Sequence, residues 1–236
     1  MRPTARACIA LLWLAAPASA AEPPPLQPLI DEASPGAVLK PAPGTYAGPI
    51  VINKSLILDG EGQVTIDARG KGSVVTVATD GATIRGLKLV GSGSSFDGVD
   101  AGIQVRGNFN VISDNEIDDC LFGVDLQQSN SNVVRRNRIR SKPVDLGLRG
   151  DAVRLWYSFR NRVLDNSFVD SRDMVVWYSE DNQISGNTGT GGRYSMHFMY
   201  SKYNLVEKNR FWNNSVGIDV MYSDGVVLRD NHIAHA

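Results

Sequence analysis

The stretch SMHFMYS, residues 195–201, places one histidine and two methionines within four residues of a chain that holds three His and five Met. In an extended strand, side chains two residues apart point to the same side of the sheet. His197 and Met199 are therefore predicted to share one face, with Met196 and Phe198 on the other. Imidazole together with thioether sulfur is a ligand set that favours Cu(I). The stretch is a candidate Cu(I) site, provided that it forms a strand.

A repeat of about 22 residues predicts how this stretch folds. Six segments share one register, with spacings of 22, 29, 21, 22 and 22 residues between equivalent asparagines. These are Asn115, Asn137, Asn166, Asn187, Asn209 and Asn231. A second series ends in Ser129, Ser158, Ser179, Ser201 and Ser223. Short apolar alternations between turn residues, repeated at this period, predict an all-β fold, the right-handed parallel β-helix, whose coils stack at ~4.8 Å.

The asparagines are expected to stack at one corner of the coils. Asparagine tolerates a left-handed backbone, and a column of amides can form hydrogen bonds along the axis. The long spacing comes from an insertion of about seven residues within 142–150, which we expect to bulge out as a loop. At the other end, residues 29–39 are the expected cap over the first coil.

The N-terminus has the order of an export signal: two arginines, an apolar run, and the small residues 18–20. Residues 1–20 are therefore predicted to be a signal peptide, 21–33 an extended Pro-rich leader, and 34–236 a β-helix domain that lacks further C-terminal coils. The rest of the chain offers no stretch approaching the ~20 apolar residues that a membrane span needs. We expect a soluble periplasmic protein.

Charge and cysteine content exclude several classes of protein. Without the signal peptide the chain carries 22 basic and 25 acidic residues, a formal charge of −3. Nonspecific nucleic-acid binding is therefore excluded, and the basic run 135–140 is expected to be a solvated strand face. Removal of Cys8 leaves Cys120 alone, so no intramolecular disulfide is expected. No Gly-rich phosphate loop or Ser-His-Asp arrangement is evident.

Strand alternation predicts which side chains point outward. The core columns are expected to hold Val124, Leu126, Val153, Leu155, Met174, Val176, Met196, Phe198, Ile218 and Val220. The first outward column is then Asp125, Arg154, Val175, His197 and Asp219. The second is Gln127, Trp156, Trp177, Met199 and Met221. Stacking brings Asp219 beside His197 and Met221 beside Met199, so that four potential ligands converge.

Two interpretations of the outward face remain open. In the first, His197, Met199 and Met221, with Asp219, form an exposed weak Cu(I) site, and Arg154, Trp156 and Trp177 form a partner or ligand surface, since contiguous apolar patches usually mark contacts. In the second, the Trp and Met side chains are only half-buried packing. They would then lie beneath a ladder formed by Tyr157, Tyr178, Tyr200 and Tyr222.

The string GDAVRLWYSFRNRVLDNSFVDSRDMVVWYSEDNQISGN, residues 150–187, and the later blocks RYSMHFMYS and GIDVMYS resemble the NosD family. The resemblance extends from about residue 34 to 236, and the chain is shorter than typical members. It implies a periplasmic β-helix protein of nitrous oxide reductase maturation. The implied role is to supply copper, sulfur or both to the reductase, with ABC transporter subunits and the reductase or a copper chaperone as partners. His197, Met199 and Met221 are the candidates for the copper role.

An alternative function is that of a carbohydrate-active β-helix, such as a polysaccharide lyase, hydrolase or epimerase, with Arg154, Trp156 and Trp177 lining an acidic sugar groove. Sugar hydrolysis requires two carboxylates that flank the scissile bond. The candidates are Asp118 with Asp119, Asp151, Asp170 with Asp173, and Asp219. Most of them fall where Asp serves as a turn residue, which favours an accessory protein without catalysis of its own. A purely structural or adhesive β-helix is a third alternative.

Overall fold

The computed structural model describes residues 22–236, so the predicted signal peptide at 1–20 lies outside the described residues. Within the described range, a short helix α1 (Gln27–Glu32) is followed by parallel strands. The first twelve are β1 (Val38–Leu39), β2 (Gly44–Ala47), β3 (Ile50–Ile52), β4 (Ile57–Asp67), β5 (Val75–Val77), β6 (Thr83–Val90), β7 (Ala101–Val105), β8 (Val111–Ser113), β9 (Glu116–Cys120), β10 (Phe122–Gln127), β11 (Val133–Arg135) and β12 (Arg138–Ser141). The others are β13 (Val153–Trp156), β14 (Arg162–Leu164), β15 (Ser167–Val169), β16 (Met174–Trp177), β17 (Gln183–Ser185), β18 (Thr188–Thr190), β19 (Tyr194–Met199), β20 (Leu205–Glu207), β21 (Arg210–Trp212), β22 (Val216–Met221), β23 (Val227–Arg229) and β24 (His232–Ala234).

Each strand pairs with the equivalent strand of the next coil, which gives three faces. One face is the eight-stranded sheet β3-β5-β7-β10-β13-β16-β19-β22. The second face runs through β8, β11, β14, β17, β20 and β23, and the third through β9, β12, β15, β18, β21 and β24. The long strands β4 and β6 bend around the corner between the second and third faces and join them into one sheet. The predicted parallel β-helix is confirmed.

The bend in β6 depends on glycine. Residues Thr83–Arg85 pair with β8, whereas Lys88–Val90 pair with β9. Between them Gly86 has φ of +63°, and a Cβ there would lie 3.0 Å from the backbone nitrogen of Glu61. Only a residue without a side chain fits both the left-handed backbone and this close approach.

The asparagine ladder forms as predicted. From Asn137 onward, the side-chain oxygen of each ladder residue accepts hydrogen bonds from the backbone and side-chain nitrogens of the asparagine one coil earlier, as when Asn137 accepts from Asn115 at 3.0 Å. The ladder asparagines themselves, however, do not adopt the left-handed backbone that we expected of them. The left-handed residue is the one before each asparagine, such as Arg136 with φ of 51° or Asp165 with φ of 54°. The amide then lies inside the corner, where it replaces water as the partner of buried backbone groups.

The serine series behaves in the same way. The backbone nitrogen of Ser158 donates to the hydroxyl of Ser179 at 3.0 Å, and that of Ser179 donates to the hydroxyl of Ser201 at 3.2 Å. The residue before each serine is again left-handed, and from Ser158 onward it is a tyrosine. The corner therefore turns each tyrosine outward while the serine bonds along the axis.

The predicted core columns of β10, β13, β16 and β19 are buried. In β22 the match is weaker, because Ile218 is half-buried and Val220 is 39% exposed where, within the described residues, no further coil covers them. At the other end Leu26 and Ile30 are fully buried in the main core. Helix α1 thus begins inside the stretch 21–33 that we expected to be an extended leader. Leu26, which immediately precedes the helix, and Ile30 inside it pack on the first coils, which stabilises this short helix.

The insertion leaves the coil between β12 and β13, as expected, and contains a single 3-10 turn, Leu146–Leu148. Leu148 is 59% exposed, so the loop adds little to the core. Arg149 donates a hydrogen bond to the carbonyl of Val144 inside the loop at 2.8 Å, and it contacts the body of the coil stack through a hydrogen bond to the carbonyl of Gly191 at 3.5 Å. Among residues 22–236, no helix is long and apolar enough to cross a membrane.

Candidate metal centre

The two outward columns stack in the predicted register. Asp125 pairs with Arg154, Arg154 with Val175, Val175 with His197, and His197 with Asp219. In the second column Met199 is the register partner of both Trp177 and Met221. The four predicted ligands therefore occupy two neighbouring strands, β19 and β22, on one face of the sheet. Directly paired residues on one face have Cβ atoms about 5 Å apart, close enough for their side chains to share one ion.

The predicted exposure of this site was wrong for His197. The residue is only 7% exposed. The ring of Tyr194 stacks on the imidazole with centroids 5.0 Å apart, and the indole of Trp177 lies perpendicular to the imidazole with centroids 5.4 Å apart. Large amphipathic side chains from neighbouring positions thus fold over the first outward column, which alternation alone treats as solvated.

His197 has no hydrogen-bond partner on either ring nitrogen, although both are buried. Buried polar side-chain atoms are normally paired, so each exception requires an explanation. Burial holds the pKa of His197 below its usual value, and the nearby Asp219 carboxylate opposes that shift. The imidazole is therefore neutral at neutral pH and carries a free lone pair, which is the state that binds a metal.

The other predicted ligands are more accessible. Met199 and Asp219 are half-buried, and Met221 is 36% exposed. Within residues 22–236, Asp219 takes part in no ion pair. The four positions thus combine one buried imidazole, two accessible thioethers and one carboxylate. This set suits a soft monovalent ion better than a hard divalent one.

A harder ligand cluster is not available in the described part of the chain, where no group of three or more His, Cys, Asp and Glu residues could hold a metal ion. Within residues 22–236 Cys120 has no disulfide partner and is fully buried, and burial raises the pKa of its thiol to about 12. A protonated thiol inside the core does not compete for metal. The imidazole and thioether groups of β19 and β22 are soft donors of the kind that Cu(I) binds.

The predicted partner surface lies directly beside these positions. The guanidinium of Arg154 stacks 4.5 Å above the Trp156 ring and lies 3.7 Å from the carboxylate of Asp125. Trp156 and Trp177 are in contact, with ring centroids 5.5 Å apart. Arg154 is therefore engaged by its own neighbours rather than free to bind an acidic ligand.

The tyrosine ladder forms next to this surface. Tyr157, Tyr178, Tyr200 and Tyr222 stack with successive centroid distances of 4.7, 5.2 and 5.1 Å. Tyr222 is 72% exposed and Tyr157 43%. The outer face of β13 to β22 is thus bordered by a continuous aromatic edge.

Sequence reasoning missed the groups that cover His197. Tyr194 was not assigned an outward role, yet it contacts the imidazole and lies under the guanidinium of Arg193 at 4.7 Å. Arg193 is held by a short ion pair with the buried carboxylate of Asp173 at 2.5 Å. The repeat register does place an Asp and an Arg near this corner, but their pairing depends on a coil-to-coil contact that the local pattern does not encode.

Two of the carboxylates considered for sugar hydrolysis, Asp118 and Asp151, are paired with arginines. Asp118 accepts two hydrogen bonds from Arg140, and this guanidinium holds the pKa of Asp118 below its usual range. Burial raises the pKa of Asp151 to about 6, but its side chain is 4% exposed and bonded to Arg172 at 3.0 Å. An acid that is permanently ionised and another that is sealed inside the fold do not form the accessible pair that hydrolysis requires.

Comparison with known proteins supports the family suggested by the sequence. Residues 139–236 match the sequence model of a family described as periplasmic copper-binding protein (NosD). The probable ABC transporter binding protein NosD of Pseudomonas aeruginosa is 32% identical over 135 residues, which cover 56% of this chain. The predicted resemblance to the NosD family is confirmed. The matched stretch spans only 32% of the length of the NosD relative.

Solved structures of phage proteins share the fold. The enzymatically active domain of tailspike protein 2 from bacteriophage CBA120 superposes with a TM-score of 0.58 at 12% identity, covering 86% of this chain and 40% of that one. ORF18 of Geobacillus virus E2 gives a TM-score of 0.55 at 11% identity, covering 88% of this chain and 57% of that one. At such identities the likeness shows a common β-helix and nothing about activity.

Proposed function

We propose that this protein is a periplasmic accessory protein that takes up Cu(I) on the outward face of β19 and β22 and passes it on. The observation that carries the proposal is the buried imidazole of His197, which has no hydrogen-bond partner and lies two residues before Met199 on β19, where Met199 pairs in register with Met221 of the next coil. A buried unpaired nitrogen costs stability unless a ligand uses it. Copper compensates that cost when it binds.

The donor set also favours copper over sulfur as the cargo. Neutral imidazole and thioether groups donate electron pairs to a soft cation and have no affinity for an anionic sulfur species. The site offers only three or four donors, and two of them are accessible thioethers. Such a site binds the ion weakly enough for transfer to a partner.

The proposed role in the periplasm is based on the similarity to the NosD family. The description of the NosD family as periplasmic and copper-binding and the ABC transporter named for the Pseudomonas aeruginosa relative support a function beside such a transporter. The copper would serve the maturation of nitrous oxide reductase. The partner in the transfer would be the reductase itself or a copper chaperone. Copper content of the reductase, measured in cells that carry His197→Ala in place of the wild-type protein, tests this role. Unchanged copper content would contradict it.

The site itself is tested by Cu(I) titration of the protein under anaerobic reducing conditions, in competition with a chromophoric chelator. His197→Ala and the double variant Met199→Leu/Met221→Leu are each expected to weaken binding at least tenfold. Met196→Leu is the matched control, because Met196 is on the same strand but fully buried in the core, and Leu preserves its volume. Wild-type affinity in both ligand variants would refute the site.

A further inference from the structure

Trp177 adjoins two of the proposed ligands at once. It is the register partner of Met199. Its ring centroid lies 5.4 Å from that of His197, with the two planes at 90°. Among the side chains that cover this face, Trp177 thus borders both the imidazole and one thioether.

Unpaired nitrogen atoms cluster at this contact. The indole nitrogen of Trp177 is buried and has no hydrogen-bond partner, and the same holds for both ring nitrogens of His197. Buried tryptophans normally pair their N–H group. The ring of Trp177 is therefore positioned by its contacts with the rings of Trp156 and His197 and not by a hydrogen bond from its indole nitrogen.

The preceding coil shows what an indole on this face does with a cation. Trp156 carries the guanidinium of Arg154 over its ring at 4.5 Å. One coil later, the position of Arg154 is taken by Val175, which has no charge. The cation–π pairs found in the described residues involve Trp156, Phe96 and Tyr194, so none of them uses Trp177. No charged side chain among the described residues therefore lies over the electron-rich face of Trp177. Trp177 is in the coil directly before β19, which carries His197 and Met199.

We infer that Trp177 is part of the Cu(I) site, where its indole ring caps the ion by a cation–π contact. The inference rests on the proposed copper function. An aromatic face within ~6 Å attracts a cation, and Trp does so more strongly than Tyr or Phe. With His197, Met199 and Met221 as ligands, the indole covers a further side of the ion and keeps water away. A site of this kind selects soft monovalent ions, which accept three ligands, over divalent ions that require more.

The experiment uses Ag(I), a monovalent soft ion that is not oxidised in air, as the probe alongside anaerobic Cu(I). Affinity and tryptophan fluorescence are followed in the same titration. The wild type is expected to lose fluorescence up to one equivalent of ion. Trp177→Leu is expected to lose about tenfold in affinity. Trp177→Phe, which keeps an aromatic ring in place, is expected to lose less affinity and most of the fluorescence change. Trp212→Leu, a change on the third face of the coil, is the matched control and is expected to retain both.

The outcomes separate the two claims. Wild-type affinity and an undiminished fluorescence change in both Trp177 variants, together with lost binding in His197→Ala, would overturn the role of Trp177 and leave the copper site intact. Absence of ion binding by the wild-type protein would overturn both. If Trp177→Leu fails to fold, as circular dichroism would show, the fluorescence change of Trp177→Phe decides the matter.

Discussion

The ring of Tyr194 stacks on the imidazole of His197, with centroids 5.0 Å apart and planes inclined by 20°. Tyr194 is itself held under the guanidinium of Arg193, whose ion pair with Asp173 anchors it to the corner of the coil. The proposed copper ligand is thus covered from one side by a side chain that has its own support. An ion reaches His197 only if this cover or the neighbouring thioethers move.

Removal of this cover should speed ion exchange. Tyr194→Ala is expected to raise the rate of Cu(I) uptake several-fold, because it opens one face of His197 to solvent. Tyr194→Phe keeps the ring and should behave as the wild type. Stopped-flow mixing with a Cu(I)-chelator complex measures the rate. Equal uptake rates in all three proteins would show that Tyr194 does not limit access.

The asparagine ladder should dominate local stability. Asn166 accepts hydrogen bonds from the backbone and side chain of Asn137 at 2.9 and 3.0 Å. Asn166→Ala leaves these buried donors unpaired and is expected to cost about 3 kcal/mol in the free energy of unfolding. Urea unfolding measures the loss. Asn231→Ala, in the last coil where the side chain is half-buried, should cost about 1 kcal/mol, and an equal loss at both positions would contradict the ladder as the source.

Stability should depend on pH through Asp151. Burial raises the pKa of this carboxyl from 3.8 to about 6 in the folded protein. The folded state therefore binds a proton more readily than the unfolded state between these values, so the contribution of Asp151 to stability rises as the pH falls from 7 toward 4. Between pH 7 and pH 5 the free energy of unfolding of the wild type, relative to that of Asp151→Asn, is expected to increase by about 1 kcal/mol. Urea unfolding at the two pH values measures this increase. A wild-type advantage that shrinks over this interval would show the opposite sign of shift.

Much of the fold followed from the sequence because a β-helix is periodic. The register of Asn115 to Asn231 fixed the coil, and strand alternation then placed His197 and Met199 on one outward face. Alternation reports only direction, however. It does not report whether a neighbour such as Tyr194 folds over an outward residue, and for that reason the burial of His197 was missed.

Two other differences have local causes. The left-handed corner residue varies in type, from Asp114 to Arg136 to Lys208, so only the asparagine after it was visible as a repeat. Helix α1 lies outside the repeat and is a single turn, held by the burial of Leu26 and Ile30 rather than by helical propensity. A Pro-rich stretch of that length gives no periodic signal of its own.

The most direct test of the copper site is X-ray absorption spectroscopy of the protein loaded with one equivalent of Cu(I). One imidazole nitrogen and two sulfur scatterers are expected around the ion, and one sulfur fewer in Met221→Leu. Copper surrounded only by nitrogen and oxygen would contradict a site built from His197, Met199 and Met221.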